Sequence, residues 1–254
     1  MTNAPITPRH ATAAIVGAGD FIGAAIARKF AAEGYKVYLG RRRGELLAPL
    51  VAEIEAAGGR AVACTLDARD EDQVTAFFAQ MEADAPLELC VFNVGANVQF
   101  SLLDTTARVF RKVWEMAAFS GFLTAREATR HMLPRGHGSL FFTGATSSIR
   151  GKEGFAAFSS AKFALRAVAQ SAARELGPKG LHVAHLIIDA GVDTAWVRER
   201  IRARGGEAAL ANLQPDDLMR PESVAEAYWA LHQQARDGWT FEMDLRPYNQ
   251  QHGG

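Results

Sequence analysis

The chain is poor in cysteine and has no excess of charge of either sign. Its two cysteines, Cys64 and Cys90, both lie inside apolar runs. We interpret them as buried thiols of a reducing compartment, not as a disulfide framework. Lysine and arginine number 28 together, as do aspartate and glutamate. Because these charges balance, no overall field attracts nucleic acid or an anionic membrane surface, and we expect neither as a partner.

Long apolar runs are also absent. No stretch approaches the roughly 18 apolar residues that a membrane-spanning helix needs. Residues 1–10 contain Pro5 and Pro8 and lack the apolar centre of a signal peptide. These absences predict a soluble, cytoplasmic protein, and the sequence suggests no metal site.

Short apolar runs alternate with longer helical patterns along the whole chain. Strands are predicted over residues 11–16, 36–40, 61–65, 87–92, 139–143, 182–188 and 240–243. Helices are predicted over residues 23–33, 45–57, 71–82, 105–133, 156–176 and 222–233. The buried strands are continuously apolar, as expected when helices cover both faces of a parallel sheet. The alternation predicts an α/β fold of the Rossmann type, a doubly wound parallel sheet of about seven strands with helices on both faces.

No linker or repeat divides this pattern, and 254 residues suit one domain of this class. We therefore expect a single domain over residues 1–254. Residues 195–219 follow the sixth strand with weaker periodicity, and we interpret them as an excursion that covers a substrate site.

A glycine-rich turn joins the first predicted strand to an alanine-rich helix. Glycines at such a junction let the backbone approach a phosphate, and the helix N-terminus offers unpaired N–H groups. The pattern is weak alone, but it stands in the strand–turn–helix context that a dinucleotide site requires. The predicted phosphate-binding residues are Gly17, Gly19, Asp20, Phe21, Ile22 and Gly23.

Arginines follow the second predicted strand, where an acidic residue would bind the ribose hydroxyls of NAD. Gly40 occupies that position, and Arg41 and Arg42 come directly after it. A guanidinium there suits a 2′-phosphate, so NADP is the expected cofactor and NAD the less favoured one. The alternative is a solvated basic segment at the start of a helix.

Further motifs stand at the ends of the later strands and in the helix over residues 156–176. They are Asp67 and Ala68 after the third strand, Asn93 and Gly95 after the fourth, Val192 and Thr194 after the sixth, and Lys162 in the helix. With the glycine-rich turn, their order and spacing resemble the short-chain dehydrogenase/reductase family over nearly the whole chain. The resemblance implies that all of these residues bind an NAD(P) cofactor.

Individual roles follow from the same resemblance. The aspartate lies beside the adenine amine, the segment around Val192 and Thr194 holds the nicotinamide carboxamide, and Lys162 binds the nicotinamide ribose. The chain departs from the family pattern at Phe21, where the middle glycine of Gly-x3-Gly-x-Gly is usual, and at Ala190, where proline is usual.

The largest departure concerns proton transfer. The family uses a serine, a tyrosine, a lysine and an asparagine, and this chain has Ala145, Phe158 and Ala118 at the positions of serine, tyrosine and asparagine. Only Lys162 is retained. Phenylalanine keeps the aromatic ring but has no hydroxyl, so Phe158 can neither donate nor accept the proton that hydride transfer to a carbonyl requires.

Polar residues near these positions are candidate replacements. Thr146, Ser147 and Ser148 follow the fifth strand, although such residues also cap ordinary turns. Asp189 ends the sixth strand, where a partly desolvated carboxyl group is a candidate acid or an acceptor for its own turn. His185 fits a buried sheet residue better than a base. The predicted catalytic residues are Lys162, Ser147, Ser148 and Asp189.

These features predict an NADP-dependent oxidoreductase-like protein with a non-standard active site and a small-molecule substrate, a conjugated enoyl or a carbonyl compound. Some relatives that lack the tyrosine reduce enoyl or dienoyl thioesters. The alternative is a catalytically silent, NADP-binding sensor or structural partner, which would tolerate Phe158.

The helices over residues 105–133 and 156–176 carry broader apolar faces than one sheet requires. In the family, the equivalent helices pair between subunits in a four-helix bundle. The resemblance therefore implies a homotetramer or a homodimer.

Overall fold

Seven parallel strands form one sheet in the computed structural model, which describes residues 6–248. The strands are β1 (Thr12–Val16), β2 (Lys36–Arg41), β3 (Arg60–Thr65), β4 (Leu87–Phe92), β5 (Gly138–Thr143), β6 (Leu181–Ile188) and β7 (Glu242–Leu245). Their order across the sheet is β3-β2-β1-β4-β5-β6-β7, and every neighbouring pair is parallel. The predicted Rossmann-type sheet is confirmed. The two ends of the predicted domain, residues 1–5 and 249–254, lie outside the described residues.

Eight helices alternate with these strands in residues 6–248. They are α1 (Ile22–Ala32), α2 (Ala48–Ala56), α3 (Glu71–Asp84), α4 (Ala107–Trp114), α5 (Ser120–Met132), α6 (Ala156–Leu176), α7 (Ala195–Ala211) and α8 (Pro221–His232). Polar caps explain several of the starts. Asp70 and Thr106 accept hydrogen bonds from the N–H groups of Gln73 and Val109, at 3.1 and 3.2 Å, because the first turn of a helix leaves those groups unpaired.

The helix predicted over residues 105–133 contains an irregular turn. A π-helical segment, Glu115–Phe119, joins α4 to α5. The hydroxyl of Ser120 donates to the Met116 carbonyl at 2.6 Å across this segment. Such turns accommodate an extra residue in a helix and often lie beside functional sites.

The segment interpreted as an excursion, residues 195–219, contains a helix that the sequence did not predict, α7, and several of its residues line the cavity described below. The helix shows weak periodicity because none of its residues is buried in the core. Its start is fixed locally, since the Thr194 hydroxyl accepts from the Val197 N–H at 3.1 Å. The last strand also begins two residues later than predicted, because the Gln234 side chain holds Thr240 in the preceding turn.

The sheet is covered on both faces by apolar side chains. Every residue of β1 and β6 is buried, which explains their mainly apolar sequences. One core lies against α1 and α8, around Phe30 and Tyr228. The other lies against α3, α5 and α6, around Phe78 and Phe142. Because both faces are covered, polar groups can converge only at the ends of the strands.

None of the helices in residues 6–248 is both long enough and apolar enough to cross a membrane.

Candidate active site

A cavity of about 1190 Å³ opens at the carboxyl ends of β1, β2, β4, β5 and β6. It spans the point between β1 and β4 where the strand order reverses, which is where open α/β sheets bind ligands. One end is lined by the glycine-rich turn and the arginines after β2, and we name this the cofactor end. The other end is lined by Phe155, Phe158 and α7, and we name this the substrate end.

Two glycines of the turn have no room for a side chain. Gly17 has φ of +88°, and a Cβ on it would lie 2.7 Å from the Asn93 carbonyl oxygen. A Cβ on Gly23 would lie 2.6 Å from the Gly17 carbonyl oxygen. The Asn93 amide donates to that same Gly17 oxygen at 3.1 Å and so fastens the turn to the end of β4. Close packing of β1, α1 and β4 therefore depends on these two glycines.

The remaining residues of the turn border open space. A Cβ on Gly19 or Gly95 would meet no atom within 4 Å. Phe21, at 39% exposure, and Ile22 line the cavity at the start of α1. The Phe21 carbonyl accepts from the Ala25 N–H at 2.9 Å. The first helical turn thus begins at the cavity wall, an arrangement that fits a phosphate at a helix N-terminus.

Two arginines at the end of β2 form a basic surface, and one of them is already paired with a carboxylate. Arg41 forms an ion pair with Asp20 at 2.9 Å, and Arg42 also lines the cavity. A Cβ on Gly40 would lie 2.6 Å from Leu66 Cδ2, so an acidic residue at this position would require the end of the Leu66 side chain to shift.

Asp67 and Ala68 line the cavity beside these arginines. The Asp67 carboxylate accepts two hydrogen bonds from the Arg69 guanidinium, at 2.9 and 2.6 Å. Hydrogen bonding to Arg69 holds the pKa of Asp67 below its usual range. This carboxylate is therefore ionised and oriented at neutral pH.

Lys162 is the buried cation of the substrate end, with 3% of its surface exposed. Its ammonium group donates to the Thr143 carbonyl at 2.8 Å and to the Val94 carbonyl at 3.4 Å. Burial lowers the pKa of Lys162 to about 8. An ammonium has three N–H donors, so one remains for a ligand in the cavity.

Phe158 and Ala145 form an apolar wall next to this ammonium. The Phe158 ring centroid lies 5.9 Å from Lys162 Nζ, and the ring is 7% exposed. Phe158 packs in a small cluster with Val113, Ala117 and Ala161, while Ala145 contacts the same cluster. The cation therefore faces an aromatic ring, and Ala145 packs against the apolar cluster to which that ring belongs.

The two predicted serines occupy different positions. Ser147 lines the cavity. Ser148 is fully buried, and its hydroxyl accepts from the Ala145 N–H at 3.1 Å. Ser148 therefore closes the turn after β5, where its hydroxyl serves the local backbone, and its catalytic role stays a prediction.

Asp189 is 1% exposed at the end of β6 and is surrounded by donors. Its carboxylate accepts from the Thr146 hydroxyl, from Arg150 at 3.1 Å, and lies 3.4 Å from Arg246. The sequence left Asp189 as a candidate acid or as an acceptor for its own turn. Each of these partners donates, so the carboxylate acts as an acceptor that ties three segments together, and its catalytic role stays a prediction.

His185 lies behind the cavity wall. Its Nδ1 is 3.0 Å from Glu242, and burial lowers the pKa of His185 to about 4. It is therefore neutral near pH 7 and belongs to the sheet. Gly144 lies directly in front of it, since a Cβ on Gly144 would be 2.5 Å from His185 Nε2.

The two residues that the family resemblance places beside the nicotinamide also border the cavity. Val192 and Thr194 lie after β6, and Val192 bridges Met219 in parallel register. The Thr194 hydroxyl accepts from the first turn of α7, so its proton is free to point elsewhere.

Sequence reasoning missed several polar residues of the lining. They are Asn97, Ser120, Arg150, Lys152, Arg200 and Arg204. Arg200 and Arg204 had a usable signal, because residues four apart share one face of a helix. The others come from loops or from the π-helical turn, whose positions a linear pattern does not fix.

Comparison with known proteins gives the cavity a family context. The model of the short chain dehydrogenase family matches residues 11–204. A short-chain dehydrogenase from Rhodopseudomonas palustris is 60% identical, with a TM-score of 0.82 and coverage of 95% of this chain and 100% of that one. The 3-oxoacyl-[acyl-carrier-protein] reductase MabA of Mycobacterium tuberculosis is 31% identical, over 83% of this chain and 81% of its own length.

A metagenomic short-chain oxidoreductase solved in complex with NADP is 23% identical, with a TM-score of 0.78, and covers 94% of this chain and 98% of its own. At that identity the likeness shows the fold alone. The family match spans most of the chain and contains the glycine-rich turn, Asn93 and Lys162. The chain therefore belongs to the short-chain dehydrogenase/reductase family.

Proposed function

We propose that this protein is an NADP-dependent oxidoreductase with a non-standard active site, which reduces a conjugated enoyl or carbonyl substrate. The observation that carries the proposal is the buried Lys162 ammonium in the cavity, with Phe158 as its aromatic neighbour. A site of this kind retains a cation for binding and polarisation but has no phenol for proton transfer.

The replaced positions define what is non-standard. We place Phe158, Ala145 and Ala118 where the family has tyrosine, serine and asparagine. Their surroundings support this assignment, because Phe158 lies one helical turn before Lys162 and Ala145 follows β5. Ala118 is 2% exposed in the π-helical turn. The nearby Ser120 lines the cavity but donates its hydroxyl proton to Met116.

The cofactor end suits NADP. Gly19 and Gly95 leave space for a pyrophosphate, and Arg41 and Arg42 supply positive charge for a 2′-phosphate. The bound cofactor would supply the hydride. Asp67, Ala68, Asn93, Val192 and Thr194 would orient the adenine and nicotinamide portions, as the family resemblance implies.

Lys162 would perform two tasks. Its bonds to the Thr143 and Val94 carbonyls hold the ammonium at the cavity wall, where it can bind a ribose hydroxyl. Its remaining N–H can stabilise negative charge that develops on a thioester or ketone oxygen, either directly or through a water. Because its pKa is about 8, the group is protonated at neutral pH and is an adequate proton source.

An enoyl substrate suits this site better than a simple ketone. In the family, reduction of a ketone takes its proton and its oxyanion contact from the two hydroxyls that Phe158 and Ala145 lack, so Lys162 alone would have to supply both. Hydride delivery from NADPH to the β-carbon of a conjugated double bond places charge on an enolate-like oxygen, which a single cation can stabilise, and the α-carbon then takes a proton from Lys162 or from a water that it orders. Ser147 is a further donor at the cavity wall. MabA is by name a 3-oxoacyl-[acyl-carrier-protein] reductase, so the similarity supports an acyl group on a carrier as the substrate class, and its 3-oxo group favours the carbonyl form of the proposal.

The alternative is a catalytically silent protein that binds NADP as a sensor or structural partner. One observation favours it: Lys162 already has two carbonyl partners within the protein, so its retention does not require a reaction. Turnover of an enoyl substrate would exclude this alternative.

We also propose a homo-oligomer, most readily a tetramer or a dimer. Four aromatic side chains of α4, α5 and α6 are about two-fifths exposed, namely Phe110, Trp114, Phe122 and Phe163. Large apolar groups concentrated on neighbouring helices are typical of a protein interface. These are the helices that pair between subunits in the family.

The cofactor preference is testable by titration. NADPH is expected to bind more tightly than NADH, and Arg41→Ala to weaken NADPH about 10-fold or more, because a charge-assisted contact to the 2′-phosphate is lost. Asp20→Asn is expected to tighten NADPH binding, since it removes the carboxylate that pairs with Arg41. Fluorescence or calorimetric titration measures the affinities of the unmodified protein for NADPH and NADH, and of each variant for NADPH. Arg28→Ala is the control, because Arg28 pairs with Glu53 away from the cavity; equal affinities for the two cofactors would contradict the prediction.

The loss of ketone chemistry is testable by restoring the missing hydroxyls. The unmodified protein is expected to reduce simple ketones poorly, and Phe158→Tyr alone to recover little. The double variant Phe158→Tyr with Ala145→Ser is expected to gain about 10²-fold or more, because an acid and an oxyanion partner return together. Phe100→Tyr adds a hydroxyl to an exposed ring and serves as the control. Robust ketone turnover by the unmodified protein would refute the expected loss of ketone chemistry and identify Ser147 as the donor to test first.

The assembly is testable by light scattering at micromolar protein. A tetrameric mass is expected, and Trp114→Glu with Phe163→Glu is expected to lower it, because two carboxylates would have to be buried in the interface. Leu46→Glu is the matched control, since Leu46 is equally exposed but lies outside these helices. A monomeric mass for the unmodified protein would count decisively against the proposal.

A further inference from the structure

Three segments enclose the substrate end of the cavity. The segment after β4 is joined to the segment before α6 by a hydrogen bond from the Phe100 N–H to the Gly154 carbonyl, at 2.9 Å. Gln99 packs against Gly154, because a Cβ on that glycine would lie 3.2 Å from Gln99 Cγ. The third segment is α7, which reaches Gln99 through hydrogen bonds from Arg200 and Arg204. The contact between Gln99 and α7 therefore lies at the substrate end, apart from Arg41 and the glycine-rich turn.

Two arginines of α7 make this contact. Arg200 and Arg204 both line the cavity, and each donates to the same Gln99 amide oxygen, at 3.3 and 3.4 Å. The Arg200 guanidinium also lies 4.6 Å from the centroid of the Trp196 ring, which fixes its plane. Two cations thus share one neutral acceptor oxygen, with long hydrogen bonds.

The other arginines of this helix have carboxylate partners. Arg198 pairs with Asp193, and Arg202 pairs with Glu199 and Glu207. Within residues 6–248, no carboxylate forms an ion pair with Arg200 or Arg204. Two arginines of this helix are thus paired with carboxylates, whereas Arg200 and Arg204 line the cavity and have no carboxylate partner among residues 6–248.

Among residues 6–248, the other charged residues that line the substrate end contribute no unpaired carboxylate. Arg150 and Lys152 are further cations of the lining. The carboxylate there, Asp189, is occupied by Thr146, Arg150 and Arg246. The substrate end is consequently positive, whereas the Phe158 ring beside Lys162 makes its reacting region apolar.

We propose that Arg200 and Arg204 bind an anionic group of the substrate, a carboxylate or a phosphate, at a distance from the reacting carbon. The anion replaces the Gln99 oxygen and supplies the two acceptor atoms that two guanidinium groups require. This proposal rests on the proposed function, because the reacting carbon is taken to lie beside Lys162. It deepens that function by restricting the substrate to acidic molecules or to substrates attached to a phosphate-bearing carrier.

The test is equilibrium binding to the full-length protein saturated with NADP⁺, which prevents a phosphate carrier from occupying the cofactor end. Two matched pairs of probes separate the sources of charge. Crotonyl-coenzyme A against crotonyl-pantetheine tests phosphates, and monoethyl fumarate against diethyl fumarate tests a carboxylate. The anionic member of at least one pair is expected to bind about 10- to 100-fold more tightly than its neutral partner.

Variants of one helix provide the comparison. Arg200→Gln with Arg204→Gln is expected to abolish the preference for the anionic probe and to leave the neutral probe's affinity unchanged. Arg202→Gln, which removes a cation of the same helix that does not line the cavity, is expected to retain the preference. Equal or absent binding of the anionic members, or an equal loss in Arg202→Gln, would overturn the proposal. If the preference is present but NADPH is not oxidised with any probe, the proposed reaction is wrong and the anion site stands.

Discussion

The ammonium of Lys162 is buried where α6 crosses the ends of β4 and β5, and its surroundings determine what the site can do. Burial of a charge is unfavourable unless it is hydrogen-bonded, and the carbonyls of Thr143 and Val94 provide that compensation. These carbonyls belong to the ends of two neighbouring strands, so the position of the cation follows from the register of the sheet. The remaining desolvation lowers the pKa of Lys162 to about 8, within reach of proton transfer near neutral pH.

Around this cation the walls of the proposed active site are apolar. Phe158 fills the space beside the ammonium and packs with α4 and the π-helical turn. Ala145 leaves the turn after β5 closed by Ser148. The neighbouring Asp189 network links β6, the turn after β5 and the end of β7, so its role is to hold the wall together. Binding and polarisation by Lys162 are then the chemistry that the substrate end retains.

Much of this arrangement was predictable from local sequence. Unbroken apolar strands and periodic helices predicted the doubly wound sheet, because burial on both faces imposes that pattern. Gly17 and Gly23 were recognisable from their position between a strand and a helix. The roles of Ser148 and Asp189 were not, because they depend on partners brought together by folding: Asp189 meets Arg150 and Thr146 across 39 and 43 residues of chain. Helix α7 was missed because its exposed, arginine-rich sequence shows no core-facing stripe.

The central claim is that Lys162 acts as the cationic donor of a reductase without a tyrosine. The most direct test is the pH dependence of NADPH oxidation with an enoyl thioester, for the unmodified protein and for Lys162→Arg. A group with a pKa lowered to about 8 donates below that pH and loses its proton above it. The account predicts a rate that declines as pH rises through about 8, and a decline that is absent in any residual activity of Lys162→Arg, since arginine does not titrate in this range. An unchanged decline in Lys162→Arg, or no NADPH oxidation by the unmodified protein with any enoyl thioester, would contradict it.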